Sequence, residues 1–377
     1  MSSDEAREIA KGNPLSFLHV SKPEIDLPDT VDIHSKAVYE KGRENFSRMI
    51  AEGILRQDAA PAFYFYRQVM DGRAQTGLVA AASCDDYNRG VIKKHELTRP
   101  DKEDDRVNHI EFLNAQTGNV FLAHRAAADM EALTKEKTAG EPDVDFTAAD
   151  GVRHSSWTVN DQESIGAITG IFERMPALYI ADGHHRTAAA ARVFASRKGA
   201  GESGYFMSVI FPHDQLRILP YNRVLQDLNG LSAGTLLARL NAVFEILPGG
   251  PERPARKHEL AIYTDGIWRG LKFRPEIIGG ARGIEGLDVS LLQQRILGPV
   301  FGIEDQRTSK RIQFIGGIRG TSELKRVVDN KEYACAFSMF PTSMEDLMAI
   351  SDQGAIMPPK STWFEPKLRD ALFCRLL

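Results

Sequence analysis

The stretch Ala177-Leu178-Tyr179-Ile180-Ala181-Asp182-Gly183-His184-His185-Arg186-Thr187-Ala188-Ala189-Ala190 decides the fold, because a polar turn within it separates an apolar run from an alanine-rich one. Residues 177–180 are apolar and short enough to form a buried strand. Residues 187–198 carry apolar side chains at helical spacing. Asp182 and Gly183 are therefore expected where the strand ends and the helix begins.

This turn has the composition of an anion site. The first turn of a helix presents unpaired N–H groups and the positive end of the helix dipole. Gly183 lacks a Cβ that would keep a phosphate away, while His184, His185 and Arg186 add donors and up to three positive charges. We therefore predict phosphate binding from Gly183 to Thr187. The alternative is that Asp182 only caps the helix and that the following side chains are solvated.

The two adjacent histidines also raise the question of a metal. Neighbours on a helix point about 100° apart and seldom share one ion. The sequence contains neither a CxxC nor an HExxH pattern. We therefore predict no metal-ligating side chains, and zinc is not expected.

A second group of functional side chains lies between His95 and Arg106. A carboxylate such as that of Glu96 can accept the proton of a substrate hydroxyl when it is held next to a bound phosphate. Lys102 and Arg106 can neutralise charge that develops on a transferred phosphoryl group. Asp104 or Asp105 can hold a magnesium ion through water. The alternative is a salt-bridged surface segment, which mixed charge runs usually form.

A third candidate is the run Met357-Pro358-Pro359-Lys360-Ser361-Thr362-Trp363-Phe364. It sets a lysine and two hydroxyls between prolines and aromatic side chains. Lys360, Ser361 and Thr362 are predicted to contact phosphate or a base. The run lacks the glycine spacing of a P-loop, so no Walker-type site is predicted, and a packed terminal loop is the alternative.

Length and composition limit the class of protein. The chain has 377 residues, of which 42% are hydrophobic and 26% charged, and these values exclude disorder and fibrous architecture for the whole chain. A net charge of −4 without a basic stripe gives no support for nucleic acid as a partner. No apolar run approaches the roughly 20 residues that span a bilayer, so no membrane association is predicted. Cys84, Cys335 and Cys374 are odd in number and far apart, which favours a reducing compartment, and the cytoplasm is the expected location.

Hydrophobic periodicity and turn residues predict helices and strands that alternate irregularly. The predicted elements are a helix opened by the Ser2–Glu5 capping box, a strand over 15–20, a helix over 36–55, a hairpin across Asp71-Gly72, a helix through Ile110 and Leu113, strands over 119–122 and 206–211, a loop-rich edge over 134–150, and a hairpin across Asp265-Gly266. The fold class is therefore α+β with a mixed sheet. The run 248–251, which is rich in Gly and Pro, predicts a boundary between a catalytic region at 1–247 and a C-terminal α+β subdomain at 248–377.

Several separated motifs resemble one known family. The chain is similar to the bacterial and archaeal family called domain of unknown function 1015 in Asn13–Val20, Tyr66-Arg67, Gly90 with His95–Thr98, Asp182–Arg186 and Met357–Thr362. The Asp-Gly-His-His-Arg turn within it is similar to the phosphate-binding turn of the ParB/sulfiredoxin superfamily, which includes nucleotide-binding partition proteins, sulfiredoxins and kinases of free serine. The resemblance implies a ParB/sulfiredoxin-like core and an additional C-terminal subdomain.

The resemblance also implies a nucleotide-dependent phosphotransferase. Its donor would be ATP or ADP with Mg²⁺ bridging the phosphates, and its acceptor a small hydroxyl compound, with free L-serine giving O-phosphoserine as the leading case. Glu96, in its pair with His95, would be the catalytic base, and Asp182 would orient the acceptor or metal. His184, His185 and Arg186 would hold phosphates.

Other functions stay open on the sequence alone. A nucleotide-binding regulatory module or a phosphohydrolase fits the same turn, and DNA clamping has the weakest support because the chain is acidic. A homodimer is one arrangement that the sequence allows. Members of the resembling family carry a further N-terminal stretch with a Pro-Tyr-Asp motif before the first helix, whereas Met1-Ser2-Ser3 opens that helix here. We therefore expect either a truncated start or the loss of one strand and part of a site.

Overall fold

The computed structural model describes residues 2–377, which divide into two compact units. Unit 1 runs to Gln215 and resumes from Pro366 to Leu377, and unit 2 is Leu216–Glu365. This division differs from the boundary predicted at residue 247. The run 248–251 lies inside unit 2 because the strand Phe244–Pro248 pairs with the strand Ile267–Phe273 in one sheet.

The helices alternate with strands throughout the chain, as the sequence predicts for an α+β fold. The α-helices are α1 (Ser3–Ala10), α2 (Leu18–Ser21), α3 (Lys36–Ala51), α4 (Cys84–Asn88), α5 (Pro100–Leu113), α6 (Ala128–Lys137), α7 (Gln162–Glu173), α8 (His184–Ser196), α9 (Ala233–Asn241), α10 (Pro275–Ile278), α11 (Asp288–Leu292), α12 (Gly320–Asp329) and α13 (Met344–Asp352). A π-helical turn, Gln293–Leu297, continues α11. Over residues 2–377, no helix combines the length and the apolar character needed to cross a membrane.

The strands form two large sheets and two short ribbons. They are β1 (Phe63–Met70), β2 (Arg73–Ser83), β3 (Ile92–Lys93), β4 (Ala115–Gln116), β5 (Val120–His124), β6 (Val144–Thr147), β7 (Arg153–Val159), β8 (Leu178–Asp182), β9 (Tyr205–Pro212), β10 (Ile218–Leu219), β11 (Tyr221–Leu225), β12 (Phe244–Pro248), β13 (Glu259–Thr264), β14 (Ile267–Phe273), β15 (Ile312–Gly316), β16 (Cys335–Met339), β17 (Trp363–Phe364) and β18 (Arg375–Leu376).

Unit 1 is built on an eight-stranded mixed sheet with the order β3-β8-β5-β9-β2-β1-β7-β6. The pairs β3–β8 and β5–β9 are parallel and the other neighbours are antiparallel. Helix α8 packs Ala190 against Ile180 and other apolar side chains of the sheet. Its Ala189 and Val193 also pack against Ile110 of α5. These contacts hold α8 against both the sheet and α5.

Unit 2 contains a six-stranded antiparallel sheet with the order β12-β14-β13-β16-β11-β15. Val224 and Ala336 from two of its strands pack with Leu324 and Val327 of α12. The ribbon β10–β17 belongs to the same unit. The large mixed sheet of unit 1 and this second sheet confirm the α+β class.

Both predicted hairpins are confirmed. Asp71 and Gly72 have φ values of 52° and 75°, and the pairing of β1 with β2 closes at Met70 and Arg73. Positive φ at both central residues is what a type I′ turn requires, and Asp-Gly supplies it at low cost. The hairpin of β13 and β14 turns in the same way across Asp265-Gly266.

One predicted segment is wrong and another is confirmed in part. The strand predicted over 15–20 is a turn followed by α2, because Asn13 Oδ1 accepts from the Leu15 N–H at 3.1 Å and Ser16 Oγ from the Leu18 N–H at 3.4 Å. Such side-chain bonds compete with strand pairing. The edge predicted as loop-rich over 134–150 is irregular over 138–143 and 148–150, and it also contains the end of α6 and the edge strand β6.

Candidate functional site

The candidate site lies where two parallel strands of unit 1 end. Strand β3 pairs with β8 through Ile92 with Leu178 and Lys93 with Tyr179. The carboxyl ends of neighbouring parallel strands meet at one edge of a sheet, where ligand sites of such sheets usually form. The segment after β3, which carries His95 and Glu96, therefore lies beside the turn after β8.

Gly183 forms the first residue of this turn and is the N-cap of α8. Its φ of 102° and ψ of 25° lie in the region that favours glycine. An N-cap without a side chain cannot accept a bond from the N–H groups of the first helical turn. Asp182 is the last residue of β8 and not the N-cap, so the alternative in which it only caps the helix does not describe this turn.

Arg186 is fitted between two glycines. A Cβ at Gly183 would lie 3.1 Å from its Nε, and a Cβ at Gly118 would lie 3.2 Å from its Cδ. Its Nη1 donates to the carbonyl oxygen of Asn119, and its Nη2 lies 3.7 Å from Oδ2 of Asp182. The side chain is 30% exposed. The guanidinium is therefore oriented by the chain and still reaches solvent beside the turn.

A lysine from the C-terminal segment of unit 1 meets the same aspartate. Lys367 Nζ lies 3.2 Å from Asp182 Oδ2, and the two side chains are 46% and 39% exposed. Burial acts to raise the pKa of Asp182, but Arg186 and Lys367 outweigh it, so the pKa lies below its ordinary value. Asp182 is thus an anion held between two cations. The sequence reasoning missed Lys367, and no local motif joins it to a residue 185 positions away.

Two histidines pack together behind the turn. His95 and His184 are buried, with ring centroids 4.5 Å apart and ring planes at 89°. The backbone N–H of His95 donates to Nε2 of His184 at 3.4 Å. Burial lowers the pKa of His95 to about 4, and burial together with His95 lowers the pKa of His184 well below its ordinary value. Both rings are therefore neutral at pH 7, and His184 does not supply the positive charge expected of it.

Glu96 completes this group. One ligand atom each of His95, Glu96 and His184 lie within 4.8 Å of one another. Glu96 is partly exposed, whereas both histidines are buried. Its carboxylate therefore lies close to the first residue of α8. We call these three residues the His-Glu-His cluster.

The other residues predicted around the turn have structural contacts of their own. His185 Nε2 accepts from the backbone N–H of Arg99 at 3.1 Å and so ties the turn to the start of α5. Thr187 is fully buried, and its Oγ1 donates to the Gly183 carbonyl at 3.1 Å. Lys102 is exposed in the first turn of α5, and Arg106 contacts Asp105.

Part of the charged stretch forms salt bridges, as its alternative interpretation expected. Asp104 lies 2.7 Å from Arg192. Asp105 accepts from Tyr39 at 2.9 Å and also contacts His34 at 3.1 Å. These two carboxylates are therefore engaged by protein groups, whereas Glu96 lies in the His-Glu-His cluster.

The predicted loop with Lys360, Ser361 and Thr362 belongs to unit 2. Arg223 Nη2 donates to the Lys360 carbonyl at 3.1 Å, and Ser361 Oγ donates to the Pro358 carbonyl at 2.6 Å. Ser361 is buried. The loop is thus held by contacts within its own unit, and its role in phosphate binding stays a prediction.

Comparisons with known proteins give one family and several solved structures. The family model described as protein of unknown function (DUF1015) matches residues 1–290. No curated protein matches the chain. A free serine kinase in complex with AMP is 13% identical with a TM-score of 0.40, over 78% of this chain and 90% of that chain.

Two further solved structures are similar at the same level. SbnI with C-terminal truncation from Staphylococcus aureus is 11% identical with a TM-score of 0.41, over 79% of this chain and 85% of that chain. A conserved hypothetical protein from Pyrococcus furiosus is 15% identical with a TM-score of 0.37, over 78% of this chain and 94% of that chain. Similarity at this level does not assign an activity to this chain.

Proposed function

The chain belongs to the DUF1015 family, and we propose from its own site that it is a nucleotide-dependent phosphotransferase that acts on a small hydroxyl acceptor. Free L-serine, giving O-phosphoserine, is the leading acceptor, and it rests on the resemblance of the Asp182–Arg186 turn to that of free serine kinases. ATP or ADP is the donor. A ParB/sulfiredoxin-like core is part of the same proposal.

The observation that carries the proposal is the turn at Gly183. Its glycine N-cap has no side chain to occupy the corner at the first turn of α8, where helix N–H groups bind phosphate oxygens, and the guanidinium of Arg186 lies against it. Lys367 adds a second cation at the same corner. Phosphate oxygens need such fixed donors and positive charge. Side chains larger than hydrogen at position 183 would fill the space beside Arg186.

In the proposed reaction, an acceptor hydroxyl oxygen attacks the terminal phosphorus of the nucleotide. The new P–O bond forms as the bond to the leaving ADP or AMP oxygen breaks, and the hydroxyl proton passes to the Glu96 carboxylate. Asp182 accepts a hydrogen bond from the acceptor and orients it. Mg²⁺, carried by the nucleotide, neutralises phosphate charge when bound. Arg186 and Lys367 stabilise the charge on the transferred group.

The test is formation of O-phosphoserine from L-serine with ATP, ADP or pyrophosphate, followed by mass spectrometry. Glu96→Gln and Asp182→Asn should each reduce turnover by about 100-fold or more, the range for a lost general base or charge-stabilising group. Glu131→Gln changes an exposed carboxylate of α6 and should retain activity. No phosphoserine with any donor would remove the proposal. Phosphate release without dependence on an acceptor would instead assign a phosphohydrolase.

A further inference from the structure

We propose that the His-Glu-His cluster is a binding site for one divalent transition-metal ion of the zinc type, held by His95, Glu96 and His184. The sequence predicted no metal, because His184 and His185 point apart on the helix and no CxxC or HExxH pattern is present. The structure instead brings His184 together with a histidine from another segment, 89 positions away.

The donor atoms suit a transition metal better than magnesium. Two imidazoles and one carboxylate form a ligand set that is common for Zn²⁺ and Fe²⁺ sites with open positions. Mg²⁺ prefers oxygen ligands and keeps several waters. The cluster therefore suits a different ion from the Mg²⁺ that accompanies a nucleotide.

The geometry is close to that of a loaded site. The three ligand atoms lie within 4.8 Å of one another. Bonds of about 2.0–2.2 Å to one ion place neighbouring ligand atoms roughly 3.3–3.6 Å apart, so the atoms must close by about 1 Å. Glu96 is partly exposed and can supply this movement by side-chain rotation.

The surroundings of the histidines also fit metal ligation. The His95 ring makes a hydrogen bond with the Ile180 backbone. A ring N–H bonded to a carbonyl fixes the tautomer and leaves a lone pair on the other nitrogen, as is usual in metal-ligating histidines. The contact of His184 Nε2 with the His95 N–H is long for a hydrogen bond, at 3.4 Å.

One carboxylate acts on both histidines of the cluster. Asp182 favours positive charge there, while Lys94 and His185 oppose it at His184. Asp182 is itself shared with Arg186 and Lys367. Glu96 would be the partly exposed ligand of a bound ion, and the two histidines its buried ligands.

This site goes beyond the proposed phosphoryl transfer and gives Glu96 a second role. A metal-bound water or hydroxyl loses its proton more readily than a free one. In the loaded protein, Glu96 is a ligand, and the ion would perform the activation that the carboxylate performs alone. Metal uptake is measured without nucleotide, so its failure and the failure of the kinase proposal are separate results.

The experiment is a titration of the chelator-stripped full chain with Co²⁺, followed by visible absorption, and competition by Zn²⁺. We expect one site per chain with the absorption of nitrogen-ligated cobalt. Glu96→Gln should weaken binding by about tenfold or more, because even outer-shell partners of a metal are worth 10–100-fold. His184→Gln should weaken it further.

His185→Gln is the matched control, because it changes the neighbouring histidine and keeps an acceptor for the Arg99 N–H. It should bind Co²⁺ like the unmodified chain. At one fixed concentration, Zn²⁺ should also raise the thermal midpoint of the unmodified chain and of His185→Gln, and raise that of Glu96→Gln by less. Absence of uptake by the unmodified chain, or uptake by Glu96→Gln and His184→Gln that equals that of the unmodified chain, would overturn the proposal. Glu96→Gln keeps the test decisive if the buried His184 variant fails to fold.

Discussion

Replacement of Gly183 by alanine, compared with the same replacement at Gly151, separates the effect of backbone strain from loss of the anion site. The φ of 102° at this position disfavours any residue with a Cβ. Left-handed backbone costs an L-residue roughly 1–2 kcal/mol. The added Cβ would also lie 3.1 Å from Arg186 Nε and 3.3 Å from its Cζ and Nη2, so the guanidinium must move by a few tenths of an ångström.

Gly151 provides the matched control. Its φ is 81°, and a Cβ there meets nothing within 4 Å. Gly151→Ala should therefore cost about the same 1–2 kcal/mol of unfolding free energy as Gly183→Ala. Only the change at 183 displaces a cation from the turn. A hydrogen bond to a charged group is worth about 1.5–3 kcal/mol, which corresponds to roughly 10- to 100-fold in affinity.

The assay is calorimetric titration of Mg-ADP and Mg-ATP into both variants, with urea unfolding of each. We expect similar losses of stability and a loss of nucleotide affinity for Gly183→Ala alone. An unchanged nucleotide affinity in Gly183→Ala would refute the assignment of the turn. An equal loss in Gly151→Ala would show that the effect is strain and not the displaced cation.

Two further substitutions test the surroundings of the site. Lys367→Met should raise the pKa of Asp182, measured by carboxyl ¹³C NMR, and change stability by less than about 1 kcal/mol because the pair is half exposed. The folding stability that comes from the lowered pKa of Asp182 is lost as pH falls through that pKa. Lys367→Met should therefore lose less folding stability on acidification than the unmodified chain. An unchanged pKa of Asp182 in this variant would contradict the pairing. Gly77→Ala should cost about 1–3 kcal/mol in urea unfolding, since its Cβ would lie 2.9 Å from the buried Phe211 ring. Gly140→Ala, with open space around its Cβ, should change stability by less than about 0.5 kcal/mol, and equal effects would disprove the packing argument.

Local signals in the sequence predicted local structure well. The Asp-Gly pairs at 71–72 and 265–266 specify tight hairpins because few other residues adopt positive φ. The capping box is confirmed, with the Glu5 N–H donating to Ser2 Oγ at 3.1 Å. The prediction of a strand over 15–20 was wrong because a six-residue alternation is a weak signal. The side-chain hydrogen bonds of Asn13 and Ser16 hold this segment in a turn.

The candidate site could be predicted only in part. The turn from Asp182 to Arg186 is contiguous, so its strand, glycine and helix could be read from one segment. The contact of His95 with His184 depends on the parallel pairing of β3 with β8, which no periodicity specifies. The neutral state of His184 depends on its burial, which reverses the charge expected from its residue type.

The discontinuous course of unit 1 has a consequence for how the protein is made. The chain leaves this unit at Gln215, forms unit 2, and returns at Pro366, after which β18 pairs with β4. A ribosome therefore releases the Asp182 corner long before it has synthesised Lys367. During that interval the nascent chain carries a turn with one cation instead of two, and it acquires the second only after all of unit 2 has been synthesised.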